Sequence, residues 1–68
     1  MFSYNPLWKL LIDHNLNKST FAQNCNISKT TLAKMTNGKY IDMKSLEKIC
    51  NYFQCNIEDV IQYIPDKD

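Results

Sequence analysis

Residues 17–38 decide the fold, and they read NKSTFAQNCNISKTTLAKMTNG. Asn17 and Ser28 are of the residue types that cap helix starts, and each precedes an apolar pattern with helical spacing. The apolar positions are Phe21, Ala22 and Cys25 in the first segment, and Leu32 and Met35 in the second. Asn37-Gly38 is a typical helix end. The pattern predicts two short helices separated by a tight turn.

The turn has the composition of a sharp corner. Asn26 stands where the chain needs a positive φ, which Asn tolerates better than other non-glycine residues. Ala22 is small where the two helices must approach each other, and Ile27 and Leu32 would anchor the corner in the core. Two short helices arranged in this way form a helix-turn-helix, whose second helix lies in the major groove of DNA.

Three further helices are predicted outside this unit. Asn5 would cap the first, with Pro6 at its first position and Asn15 as its left-handed end. Asp42 would cap the fourth helix, and Asn56 the fifth, over residues 57–64. Hydrophobic staples, which join the residue before a cap to the fourth helical residue, are predicted at four of the five starts. Since only residues 2–4 resemble a strand, the predicted fold is an all-α, compact five-helix bundle.

The composition is that of one small domain, residues 1–68, with 44% hydrophobic residues and a single Gly. Such a chain is too apolar for a disordered tail and too poor in Gly for a linker. The odd number of cysteines, three, favours a reducing compartment. No segment approaches the ~18 apolar residues of a membrane span, and the N-terminus lacks a secretory pattern. A cytoplasmic location is predicted.

The net charge of +1 is divided unevenly along the chain. Residues 1–40 hold five Lys and one Asp, a net +4, whereas residues 41–68 hold three Lys and six acidic residues, a net −3. Lys18 and Lys29 open the second and third helices, and Lys44 is second in the fourth. Cations there oppose the helix dipole, but an ammonium at a helix N-terminus favours phosphate. We interpret the lysines as phosphate-binding, with chance placement as the alternative.

The second helix of the motif has a polar face around a small residue, Ala33. Adjacent Thr30 and Thr31 lower helix propensity because they are β-branched, yet each offers a hydroxyl for a base edge and a methyl for thymine. The face therefore suits base reading. The polar positions are Lys29, Thr30, Thr31, Lys34 and Thr36.

These motifs resemble the Cro and phage-repressor family of helix-turn-helix DNA-binding domains, the lambda-repressor-like fold. The matching residues are Phe21-Ala22, Asn26-Ile27-Ser28, Leu32-Ala33-Lys34-Met35 and Asn37-Gly38. The sequence departs from the family at Asn26, usually Gly, and at Lys18, often Gln. The resemblance implies that Ser28, Lys29, Thr30, Ala33 and Lys34 face bases or their adjoining phosphates. It implies that Lys18, Thr31, Asn37 and Lys39 hold the DNA backbone. A pure capping role for Ser28 and a solvated helix face for Thr31 are the alternatives.

The predicted function is a sequence-specific DNA-binding transcriptional regulator, a repressor that acts by promoter occlusion. His14 lies alone at a helix end, and the cysteine spacing does not fit a zinc site. No catalytic motif is visible, so neither an enzyme, a metal, a cofactor nor a small-molecule ligand is predicted. The alternatives are a protein-interaction module and an antitoxin-like subunit that binds DNA with a partner chain. A homodimer is predicted, through an interface drawn from Tyr52, Val60, Ile61, Tyr63, Ile64, Phe2 and Tyr4.

Overall fold

Four α-helices and a two-stranded sheet make up the described part of the chain, residues 1–66 of a computed structural model. Lys67 and Asp68, which belong to the predicted domain and to the acidic-half charge count, lie outside the described residues. The helices are α1 (Asn5–Asp13), α2 (Lys18–Cys25), α3 (Lys29–Thr36) and α4 (Met43–Phe53). The strands are β1 (Phe2–Ser3) and β2 (Gln62–Tyr63), and a 3₁₀ turn covers Ile57–Asp59.

The helix-turn-helix forms with the predicted caps. The Asn17 side chain accepts a hydrogen bond from the Thr20 N–H at 2.7 Å, and the Ser28 hydroxyl oxygen accepts one from the Thr31 N–H at 3.1 Å. Asn26 has φ 58° and ψ 45°, the left-handed conformation expected at the corner. The bounds of α2 and α3 therefore follow from local capping.

The start of α1 differs from the prediction by one residue. Tyr4 occupies the cap position and Asn5 is already helical, so the Asn5 side chain does not cap the helix. The Ser3 hydroxyl oxygen accepts the Asn5 N–H at 3.1 Å instead. The shift follows from tertiary packing, because the Tyr4 side chain is buried in the core. Asn15, with φ 56°, ends the turn after α1 as predicted.

The predicted fifth helix is wrong. The chain makes only the 3₁₀ turn and then forms β2, which pairs antiparallel with β1 so that Phe2 lies opposite Tyr63 and Ser3 opposite Gln62. The Val60 carbonyl accepts the Leu7 N–H at 3.2 Å. Backbone partners some sixty residues away thus replace those that a helix would have supplied. The domain is mostly helical rather than all-α.

The core draws one fully buried side chain from each helix and one from the C-terminal segment: Leu7, Phe21, Met35, Ile49 and Val60. Cys25, one of the predicted apolar positions, is also buried, and Cys50 of α4 is half-buried against the core. In α3 only Met35 is fully buried. The rest of this short helix is therefore free to present its polar face outward.

Candidate nucleic-acid interface

The outward face of α3 brings together six of the nine predicted site residues. All six are exposed and line one shallow depression on the surface. Four come from α3 and two from the loop that follows it, and helical spacing places them side by side. They are Lys29, Thr30, Ala33, Lys34, Asn37 and Lys39. We call the four α3 residues of this group the recognition face.

Ser28 and Thr31 are tied to each other at the start of α3. The Ser28 hydroxyl donates to the Thr31 hydroxyl oxygen at 3.0 Å, while its oxygen accepts the Thr31 N–H. Ser28 is thus a helix cap in this structure, and Thr31 is half-buried. Neither residue lines the depression. Their hydrogen bonds fix the end of the helix that carries Lys29 and Thr30.

Lys18 lies apart from the depression, at the first position of α2. Its Nζ is 4.3 Å from the ring centroid of Trp8, a half-buried residue of α1. An ammonium at this distance is attracted by the negative face of the ring. The Lys18 ammonium therefore lies over the Trp8 ring, although the residue remains exposed to solvent.

The surface around α3 carries uncompensated positive charge. Residues 14–41 contain no Asp or Glu, and their four lysines, Lys18, Lys29, Lys34 and Lys39, are all exposed. We call these four the basic surface. Within residues 1–66 the only ion pair joins the N-terminal ammonium to Asp66 at 3.7 Å, so no carboxylate neutralises them. Such a surface attracts polyanions.

Lys9 does not belong to this surface, although it lies in the basic half of the sequence. It lines a different depression, together with Asp13, Glu58 and Asp59. The sequence-level division into a basic and an acidic half is therefore only partly kept in the fold, because α1 packs against the 3₁₀ turn.

The loop after α3 is held by a side chain that sequence reasoning did not assign to the site. The Tyr4 hydroxyl donates to the Lys39 carbonyl at 2.6 Å, and the Lys39 N–H donates to the Lys34 carbonyl at 2.8 Å. Burial raises the pKa of Tyr4, which keeps the phenol protonated as the donor. No local signal could have revealed this contact, because it joins residues 35 positions apart.

The corner between α2 and α3 is held by α4. The Lys48 ammonium donates to the Asn26 carbonyl at 3.3 Å, and the Cys25 thiol donates to the Lys48 carbonyl at 3.5 Å. The Asn24 amide donates to the Tyr52 hydroxyl at 3.1 Å. These contacts fix the angle at which α3 is presented, and Lys48 and Tyr52 were not predicted to take part.

Three observations on residues 1–66 concern other kinds of site. This part of the chain contains no group of three or more potential metal-ligating side chains. His14 is exposed and lies against Phe53, with ring centroids 5.1 Å apart. No helix of the described residues has the length and apolar character needed to cross a bilayer.

Comparison with known proteins agrees with this geometry. Residues 6–66 match the model of the Cro/C1-type helix-turn-helix DNA-binding domain family. The crystal structure of the transcriptional regulator VanUg, Form II, is similar to this fold with a TM-score of 0.90 and 37% sequence identity. That similarity covers 96% of this chain and 87% of the other. Among curated proteins, none matches significantly. The chain belongs to the Cro/C1-type helix-turn-helix DNA-binding domain family.

Proposed function

We propose that this protein is a sequence-specific DNA-binding transcriptional regulator that represses by promoter occlusion. The observation that carries the proposal is the recognition face, which is exposed on α3. With Lys18 and Lys39 nearby, it presents four lysines that have no carboxylate partner within residues 1–66. Family membership favours a binding role over an enzymatic one. Occupation of a promoter by the bound protein excludes polymerase from the same DNA.

The recognition face reads bases and their adjoining phosphates from the major groove. Thr30 offers a hydroxyl and a methyl to a base edge, and the small Ala33 lets α3 lie close to the groove floor. Lys29 and Lys34 contact bases or neighbouring phosphates, and Ser28 orders the helix end beside them.

The DNA backbone is held by residues around the recognition face. Lys18 at the start of α2 and Lys39 in the loop after α3 supply ammonium groups, and Asn37 and Thr31 supply polar contacts. Contacts of this kind position a protein on the duplex without reading its sequence. They support affinity, while the recognition face supports specificity.

The functional species is proposed to be a homodimer on an inverted repeat. One recognition helix reads few base pairs, and each correct pair contributes about 1–3 kcal/mol of discrimination. This total is too small to distinguish one site among ~10⁶ or more competing sites. Two-fold pairing places two such helices about 34 Å apart on one face of the duplex.

The predicted dimer interface needs correction, because Val60 and Tyr4 are buried within the domain. Instead, an apolar surface of exposed side chains surrounds a groove of about 410 Å³. It comprises Phe2, Tyr40, Met43 and Ile57, which line the groove, and Tyr63, which packs on Phe2. These five residues are 41–74% exposed. At ~200 Å² per large side chain, these offer roughly 500–600 Å². A standard interface buries ~800 Å² of each partner, and about 65% of a homodimer interface is apolar, which is roughly 520 Å². The exposed apolar surface therefore has about the area that a second copy would require.

Selection of bound sequences from a random duplex pool tests the proposal. Wild-type protein should recover an inverted repeat, Thr30→Ala should relax one or two positions in each half-site, and Lys9→Gln should recover the wild-type motif. Recovery of random sequence by the wild type would contradict sequence-specific regulation and would favour the protein-interaction alternative. Recovery of a single unrepeated site, bound by one protomer in sedimentation, would contradict the homodimer and leave DNA reading intact. Binding only after a partner chain is added would support the antitoxin-like alternative.

A further inference from the structure

Two aromatic side chains near the N-terminus contact two lysines of the basic surface. Tyr4 donates its hydroxyl hydrogen bond to the backbone of Lys39, and Trp8 carries the ammonium of Lys18 on its ring. The two rings also pack together, with centroids 6.3 Å apart. One aromatic pair thus links the start of α2 with the loop after α3.

We infer that Tyr4 and Trp8 are positioning residues for DNA binding, which hold Lys39 and Lys18 in fixed positions relative to α3. This inference rests on the proposed function, because it requires both lysines to contact the DNA backbone. Neither aromatic residue needs to touch DNA. Each acts through the lysine that it contacts.

Trp8 favours DNA binding by Lys18 through an entropic effect. A free lysine side chain loses rotamer entropy when it binds a phosphate. The Trp8 ring restricts Lys18 before DNA arrives, and the ammonium has three donors, so it can face the ring and still donate to a phosphate oxygen. Lys18 therefore binds DNA at a smaller entropic cost.

Tyr4 favours DNA binding by Lys39 because it fixes the position of the loop that carries this lysine. It lies in the loop that follows Gly38, whose φ of 72° turns the chain away from α3. The Tyr4 hydrogen bond fixes this loop to the N-terminal segment, and Tyr4 is itself only 6% exposed and cannot move with the loop. Without the hydroxyl, Lys39 would sample positions away from the DNA.

The contact between Lys18 and Trp8 can be tested without DNA. Because Trp8 is the only tryptophan, ring-current shifts of the Lys18 side-chain methylene protons report on it directly. We expect upfield shifts in free wild-type protein and their loss in Trp8→Leu. Methylene shifts at ordinary lysine values in the wild type would overturn the inference for Trp8.

Double-mutant cycles then test the role in binding. The probe is a fixed 20-base-pair duplex at 50 mM salt, because backbone contacts are independent of sequence. Tyr4→Phe keeps the buried ring and should weaken binding about two- to tenfold, the effect of one hydrogen bond. Trp8→Leu should weaken it about two- to fivefold. Ser45→Ala, which removes a partly buried hydroxyl bonded to Asp42 outside the basic surface, is the matched control and should bind like the wild type.

The cycles distinguish positioning from a general loss of structure. In a Lys39→Ala background Tyr4→Phe should have no further effect, and the same should hold for Trp8→Leu in Lys18→Ala. Circular dichroism at the assay temperature verifies folding, and Trp8→Phe, whose ring binds a cation more weakly, replaces Trp8→Leu if the latter unfolds.

The inference would be overturned if the aromatic substitutions weakened DNA binding equally in the wild type and in the lysine variants. It would also be overturned if they left affinity unchanged or increased it. The proposed function would remain intact in each case. If the wild type binds no duplex, the proposed function fails and the inference fails with it.

Discussion

The salt dependence of DNA binding depends on how many lysines neutralise phosphates. The perturbation is Lys34→Gln, with Lys9→Gln as its matched control. All four lysines of the basic surface are exposed and lack a carboxylate partner within residues 1–66, so each should release about one counterion. Each phosphate contact contributes about −0.9 to the slope of log affinity against log salt, so four contacts per protomer predict a slope of about −3 to −4.

Each lysine removed from the basic surface should reduce this slope by about 0.9. Between 50 and 200 mM salt, wild-type affinity per protomer should fall on the order of 100-fold, and that of Lys34→Gln about 40-fold. Lys9→Gln should keep the wild-type slope, because Lys9 lies among Asp13, Glu58 and Asp59.

Fluorescence anisotropy with a labelled duplex, titrated at five or more salt concentrations, measures the slopes. A wild-type slope near zero would refute the phosphate-binding role of the basic surface. If Lys34→Gln and Lys9→Gln reduced the salt slope equally, Lys9 would have to contribute to DNA binding as much as the basic surface does. That result would refute its assignment to a separate depression with Asp13, Glu58 and Asp59.

Four further predictions concern the scaffold. Cys25→Ser should lower the free energy of unfolding by about 1–2 kcal/mol, since it places a hydroxyl in a buried site, and urea denaturation measures this. Because burial raises the pKa of Cys25 to about 11, this thiol should react more slowly with alkylating reagents at pH 8 than Cys55; equal rates would contradict the packing. Asn26→Gly should stabilise the corner by about 0.5–1 kcal/mol and Asn26→Ala destabilise it by about 1 kcal/mol, in thermal denaturation; the reverse order would refute the left-handed assignment. The Ser45 hydroxyl, which donates to the Asp42 carboxylate at 2.5 Å, lowers the pKa of Asp42 in the folded state, so its stabilising effect is present above the unfolded pKa and is lost as pH falls through the folded one. Ser45→Ala should therefore reduce acid-dependent destabilisation below pH 4, and an unchanged profile would contradict this.

The helix-turn-helix and the residues that it exposes follow from local sequence patterns. Asn17 and Ser28 cap α2 and α3 through hydrogen bonds that reach only three residues along the chain. Asn26 adopts the left-handed conformation from its own backbone preference. Such local interactions depend on residue type and spacing, and both can be read from a sequence. The same holds for the recognition face, because the period of a helix fixes which side chains lie together.

Contacts between distant residues determine the structure of the C-terminal segment and the contacts of Lys18 and Lys39. Residues 57–64 carry a helix-like pattern and a capping residue, yet β2 pairs with β1 across the whole length of the chain. The Lys18 ammonium lies over the Trp8 ring, and the Lys39 carbonyl accepts a hydrogen bond from Tyr4, 35 residues away. In each case the deciding partner is distant in sequence, and no periodicity or capping pattern encodes a contact between residues that meet only after the helices have packed.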